Sequence, residues 1–248
     1  MTAKLYDVVA LGELLIDFTQ NGKSSQGNGL FEANPGGAPC NVLAMLNNLG
    51  KKTSFIGKVG NDQFGLVLKA TLEELGIGTE NLMLDQEVHT TLALIHTFED
   101  GDRDFSFYRN PGADMMLHAD EIKTELIENT KIFHFGTLSM THDGVRTATK
   151  KALEIAKKSG ALISFDPNLR EPLWESLDIA KEQVIYGPGY IVDELCGMTF
   201  KISPKSFYQI NYEGTKLLYS KAMQFADITK EDRVIDAYSG VGTIGIIA

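Results

Sequence analysis

Only two of the 248 residues are cysteine, one is tryptophan and seven are proline. Cys40 and Cys196 lie far apart without CxxC spacing, so no disulfide framework or thiolate metal site is written into the chain. Two reduced thiols suit a cytoplasmic protein. No apolar run approaches the roughly 20 residues that cross a bilayer, which argues against a membrane-spanning helix. The opening MTAKLYDVVALG has no basic segment ahead of a long apolar stretch, and a signal peptide is not expected. Positive charge is scarce too: 23 Lys and Arg stand against 33 Asp and Glu, for a net charge of −10. General nucleic-acid binding needs a cationic footprint that displaces counterions, so RNA is disfavoured as a partner. His89, His96, His118, His134 and His142 show no HExxH or other ligand spacing, and each reads as a packed or surface imidazole. No metal site is assigned. A GxSxG nucleophile elbow is missing as well.

What is present is ordinary for a soluble globular chain: 43% apolar and 23% charged residues. The length fits one α/β domain or two small ones. Charge is distributed unevenly. Up to Gln183 there are 26 acidic and 17 basic residues, and beyond it 7 and 6.

YDVVALG (residues 6–12) reads as a buried strand, followed by a polar, Gly-rich stretch at 21–29 and the turn-like NPGGAP. A helix is expected from Asn41 to Leu49, stopped by Gly50. TSFIGKVG follows as a strand. Asp62 is a candidate cap for a helix whose Phe64, Val67, Leu68, Leu72 and Leu75 recur at helical spacing before Gly76. TTLALIHTF and RDFSFYR flank Asp100-Gly101, a hairpin signal, and such a hairpin beside a parallel sheet suits a flap or lid. Strand and helix then alternate: KIFHFG, a helix from about Asp143 to Ser159, and ALISFD, which implies βαβ units. From residue 184 the texture changes. YIVDELCGMTFKISPKSFYQIN predicts β structure turning near Cys196-Gly197, then a helix over Tyr212–Ala226, the strand RVIDAY and a Gly-rich turn. The closing GTIGIIA reads as the start of an interrupted helix.

One constellation stands out chemically: Asp17, then Gly36-Gly37, then Asn41. Adjacent glycines let backbone approach a polyol, and an Asp with an Asn supplies acceptors and a donor for neighbouring hydroxyls. By spacing alone, the glycines fit a plain turn and Asn41 a helix cap equally well.

The run GGAPCNVLAMLNNLGKKTSFIGKVGNDQFG (36–65) resembles the N-terminal signature of the PfkB/ribokinase family. GELLIDF (12–18), FYRNPGADMML (107–117) and SFDPNLREPLW (164–174) resemble it in the same order, most nearly its fructokinase branch. The resemblance runs from about Tyr6 to Gln183. It implies an α/β, ribokinase-like parallel sheet with a β-hairpin lid, and ATP- and Mg2+-dependent phosphorylation of a small, fructose-like sugar. By the same resemblance Asp17, Gly36, Gly37 and Asn41 would hold the sugar. Arg109 would reach it from the lid, and Asn168 and Arg170 would face the phosphate-transfer zone. Family members carry a later GAGD-type motif with the catalytic base, and no GAGD occurs here. The fold is therefore expected to be incomplete and inactive, with no catalytic residue assigned. A non-catalytic sugar-binding module is the alternative.

VIDAYSGVGTIG (234–245) reads as a strand and glycine turn, and Asp236, Gly240 and Gly242 make DxxxGxG. With the FxQxN element Phe207, Gln209 and Asn211, this run resembles the RNA uracil-5-methyltransferases. That resemblance implies a fragment of a β subdomain and the start of a Rossmann-like methyltransferase domain. Gln209, Asp236, Gly240 and Gly242 would contact S-adenosylmethionine. Cys196 precedes the glycine motif in a β-like run and is read as structural. The two portions, 1–183 and 184–248, are expected to meet within EQVIYGPGY (182–190), a chimeric and truncated chain with uncovered sheet edges that favour self-association.

Overall fold

A computed structural model describes residues 4–97, 103–168, 170, 173–174, 190–195, 197–202 and 212–226. The chain divides into two compact units, Met1–Leu177 and Asp178–Ala248.

The first unit is built on a five-stranded parallel sheet of order β5-β4-β1-β8-β9. Its strands are β1 (Tyr6–Leu11), β4 (Thr53–Gly60), β5 (Gly78–Asp85), β8 (Thr130–Gly136) and β9 (Leu162–Asp166). Side chains on a strand alternate between faces, and both faces of β1 are covered. Val8 and Ala10 pack with Cys40 and Leu43 of α1 (Ala38–Asn48) and Leu68 and Leu72 of α2 (Gln63–Glu74). Val9 and Leu11 are fully buried on the other side. A short α3 (Thr124–Glu128) and the long α4 (Asp143–Lys158) follow, and α4 lies against β8 and β9 with Ala148, Ala152 and Ala156 buried. His142 caps α4 by accepting from the Gly144 N–H at 3.3 Å, while Lys157 and Lys158 favour its negative end. Among the described residues β9 is an edge strand, with Leu162 and Phe165 exposed.

A second sheet, of order β3-β2-β6-β7, is formed by β2 (Leu15–Lys23), β3 (Gly29–Gly36), β6 (Leu92–Thr97) and β7 (Arg103–Tyr108). β6 and β7 form the expected antiparallel pair; the predicted Asp100-Gly101 turn lies outside the described residues. The second sheet is larger than the hairpin the sequence suggested, because β2 and β3 belong to it. Nearly all of β3 is exposed, so the stretch read as a Gly-rich loop and turn carries no apolar alternation to betray a strand. β2 starts buried at Leu15 and Ile16 and runs outward to exposed residues. Phe18 stays on the body by an edge-on contact with Phe64, ring centroids 5.7 Å apart. α1 begins at Ala38, earlier than predicted, because Pro39 suits a first helical turn.

The second unit contributes an antiparallel hairpin, β10 (Ile191–Leu195) with β11 (Met198–Ile202), and α5 (Tyr212–Ala226). Gly197 takes φ 79° at the turn. Leu195, Phe200, Ile202 and Tyr219 form its small core. Among the described residues no helix is long and apolar enough to cross a membrane.

Asp62 joins the two sheets of the first unit. Its carboxylate caps α2 by accepting from the Gly65 N–H at 2.8 Å, and it accepts from the Thr90 N–H and hydroxyl, each at 2.8 Å. Burial pushes this carboxyl up, but the hydrogen bonds outweigh it and hold the group below its usual range. Asp62→Ala loses a helix cap and leaves the Thr90 donors unpaired. It should cost about 2–3 kcal/mol in a urea unfolding titration.

Candidate functional site

Ligands of open parallel sheets bind beyond the carboxyl ends of the strands. At the end of β1 the chain passes through Gly12, Glu13 and Leu14 and turns directly into β2. Asp17 lies two residues into that strand, paired in register with Asn34 of β3 and Ala93 of β6. Its carboxylate leans over Gly36. A methyl group built on Gly36 would fall 2.2 Å from the Asp17 Oδ2, so only glycine leaves that carboxylate its place. Asp17 is half-buried, and its carboxyl has no hydrogen-bond partner among the described residues. Burial raises its pKa, opposed by the positive charge of Arg170. It is an acceptor held open beside bare backbone.

Gly37 needs its own freedom for a different reason. It is the N-cap of α1 at φ 124°, and a Cβ there would sit 2.4 Å from the Glu13 carbonyl oxygen. Asn41 follows one turn later, its N–H donating to the Gly37 carbonyl at 3.0 Å and its side chain exposed. Asp17, Gly36, Gly37 and the start of α1 thus come together as one surface.

Asn168 and Arg170 stand beyond the carboxyl end of β9. The Asn168 backbone is fixed on both sides: its N–H donates to Asp166 Oδ1 at 3.1 Å, and its carbonyl accepts from the Thr137 hydroxyl at 2.7 Å. Arg170 is exposed, its guanidinium 5.8 Å from the ring of Phe105 on β7. It therefore faces both the lid strand and Asp17.

Arg109 is placed elsewhere than the sequence suggested. It lies just past β7, its side chain 2% exposed, in an ion pair with the equally buried Asp114 at 2.6 Å. Its Nη1 also donates to the Thr141 hydroxyl at 3.0 Å and its Nη2 to the Leu138 carbonyl at 3.2 Å. Thr91 donates to the other Asp114 oxygen at 2.5 Å. A guanidinium so engaged is a strut between β6, β7 and the β8–α4 turn, not an arm reaching into an open pocket.

Glu13 was not singled out by the sequence. It is 4% exposed, its Oε1 accepts from the Ala38 N–H at 3.0 Å, and its Oε2 is buried without a partner. Burial pushes its carboxyl up to about 7, with Asp114 adding to the rise and the Ala38 N–H and Arg109 opposing it. The available signal was a single carboxylate inside the apolar run LGELLI. Burial and the Glu13 charge also raise the thiol of buried Cys40, which makes it unreactive. His134 is packed in the sheet, its Nδ1 2.9 Å from the Ser164 hydroxyl, and burial lowers its pKa against the pull of Asp166. A cavity of about 410 Å3 between Asp62, His89, Thr90, Tyr108 and Pro111 contains none of the predicted sugar residues. Gln209, Asp236, Gly240, Gly242 and Cys196 lie outside the described residues. Among the described residues no group of three or more His, Cys, Asp or Glu could hold a metal ion.

The profile of the pfkB family carbohydrate kinases matches residues 6–190. The chain belongs to that family. It is 45% identical over 181 residues to probable fructokinase-2 of Arabidopsis thaliana, 72% of this chain and 55% of that one. The fructokinase of Xylella fastidiosa superposes with a TM-score of 0.66 at 31% identity, covering 73% of this chain and 55% of its own. A second structure of that fructokinase, with ATP bound, gives 0.65 at 31% identity over 73% and 56%. This pfkB-family chain therefore spans about half the length of the relatives it matches.

Glu13 gives the site an unusual pH dependence. Its folded pKa of about 7 lies above the ordinary 4.5, so the folded state prefers the protonated carboxyl. The contribution to stability is complete below about 4.5 and disappears as pH rises through about 7, the reverse of a salt-bridged carboxylate. Unfolding free energies should fall by up to about 3 kcal/mol from this group between pH 5 and 8. In Glu13→Gln that part of the slope should vanish, as a urea titration series will show.

Proposed function

We propose that residues 1–183 are the sugar-gripping portion of a fructokinase-like kinase, with a fructose-like ligand held by Asp17, Gly36, Gly37 and Asn41. The observation that carries this is the Asp17 carboxylate lying in the space of the missing Gly36 Cβ, half-buried and without a hydrogen-bond partner among the described residues. A hydroxyl of the sugar would fill that vacant acceptor, and the bare turn admits the ring against backbone. Asn168 and Arg170 would face the phosphate of ATP, the exposed guanidinium being the group suited to an anion. ATP is bound in the Xylella fastidiosa relative, and ATP with Mg2+ is the cosubstrate of this reading.

Phosphoryl transfer needs a positioned hydroxyl, neutralised charge and a base for the proton. No GAGD run occurs among the 248 residues, and loss of a general base alone costs about 10²–10⁴ in rate. The 248-residue chain then binds sugar without phosphorylating it. A second reading concerns residues 184–248. The DxxxGxG and FxQxN runs support an RNA uracil-5-methyltransferase-like fragment that would bind S-adenosylmethionine through Gln209, Asp236, Gly240 and Gly242. Self-association through β9, an edge strand among the described residues with Leu162 and Phe165 exposed, belongs to the same reading.

Titration calorimetry tests these readings directly. Fructose should bind the wild-type chain, and Asp17→Ala should weaken it about 10–100-fold, the worth of hydrogen bonds to a charged group. A coupled ADP-release assay should show no turnover; turnover at ordinary enzymatic speed sinks the inactive reading. Heat on adding S-adenosylmethionine, lost in Asp236→Ala, would support the second portion's reading.

A further inference from the structure

α1 starts without a cap of its own. Its N-cap is Gly37, which has no side chain to offer, and Pro39 carries no N–H. The first intrahelical bond runs from the Asn41 N–H to the Gly37 carbonyl. The Ala38 N–H is satisfied from outside the helix, by Glu13 at 3.0 Å, 25 residues earlier in the chain. A carboxylate is well suited to that place, because it meets both the donor and the positive end of the helix.

The contact does more than cap. Segments 12–14 and 37–39 are pressed together along their length: a Cβ on Gly12 would fall 2.6 Å from the Pro39 Cγ, and one on Gly37 would fall 3.3 Å from the Leu14 Cα. One residue further, Leu15 pairs with Gly36, and two beyond that the Asp17 carboxylate lies over the same glycine. Oε2 of Glu13 remains buried and unpartnered, a cost a purely structural cap at the surface would not carry.

We propose that Glu13 is a positioning residue for the sugar site: by holding the Ala38 N–H it fixes the Gly36–Gly37 turn at the spacing that lets Asp17 and Asn41 grip one polyol. The inference rests on the sugar-binding function proposed for these residues. Glu13 itself stays behind the turn and touches no sugar. Its part is to prevent α1 from sliding away from β2, which a packed glycine turn alone does not resist.

Two variants and two measurements test it. Glu13→Ala should speed amide exchange at Ala38 and raise the fructose Kd about tenfold, the loss of one hydrogen bond to a charged group. Glu13→Gln keeps an oxygen at the acceptor position and should restore both the protection and the affinity to within about twofold. A purely packing role would weaken fructose binding in Glu13→Ala without speeding exchange at Ala38. Fructose affinity unchanged in Glu13→Ala, or Gln weakening binding as much as Ala, overturns the proposal. Should Glu13→Ala fail to fold, the Gln variant still decides, since loss of affinity with a normal melt refutes an acceptor role. Absence of fructose binding by the wild-type chain refutes the sugar reading instead, and Ala38 exchange alone then decides whether Glu13 fixes the turn.

Discussion

Three residues, Gly12, Glu13 and Leu14, carry the chain out of a buried parallel sheet and into a sheet exposed at its tip. The space there is so small that Gly12 has no room for a Cβ against Pro39, and Gly37 has none against the Glu13 carbonyl. Everything proposed for the site depends on this close approach. If the passage were longer, Asp17 would leave the mouth of the core sheet. If the glycines carried side chains, the start of α1 would be displaced and the Asp17 carboxylate would lose its seat. The burial of Leu14, Leu15 and Ile16 anchors the passage, and their transfer out of water, roughly 1.5–3 kcal/mol each, offsets the unfavourable burial of one carboxylate among them.

A second buried charge cluster lies nearby. Arg109, Asp114, Thr91, Thr141 and the Leu138 carbonyl share hydrogen bonds that tie β6 and the end of β7 to the β8–α4 turn. Removing either ionic partner would strand the other in a medium where it cannot be solvated. Such a network holds one side of the second sheet to the core, while β3 and the outer end of β2 stand exposed. Arg109 therefore ties the second sheet to the core sheet.

Much of this was legible in the sequence where burial imposes a period. β1, β4, β8 and β9 are short apolar runs, and the Asp62 cap and α4 have the residue types that their ends require. The α5 bounds coincide with the predicted Tyr212–Ala226. Legibility failed where exposure removes the pattern. β3 is exposed over seven of its eight residues, so GLFEANPG looked like a loop. β5, GTENLMLD, has a polar first half and was missed. Asp17 and the glycine pair were suggested by residue type, and their mutual contact needed coordinates. Arg109 was placed at the sugar by family resemblance alone; which way its guanidinium turns is decided by Asp114, five residues on, and by Thr141, far away in the chain. Glu13 was hidden for the opposite reason, a charge within an apolar run that sequence patterning passes over as noise.

Arg170 relates the two sides of the proposed pocket. It follows β9 of the core sheet, yet its guanidinium lies by Phe105 on the lid strand β7 and favours ionised Asp17 on β2. Burial alone would drive Asp17 toward protonation, and a protonated carboxyl is a poorer acceptor for a sugar hydroxyl. The positive charge of Arg170 opposes that rise in pKa only in part, and among the described residues Arg170 forms no direct ion pair with Asp17. The same cation is exposed and can answer an incoming anion.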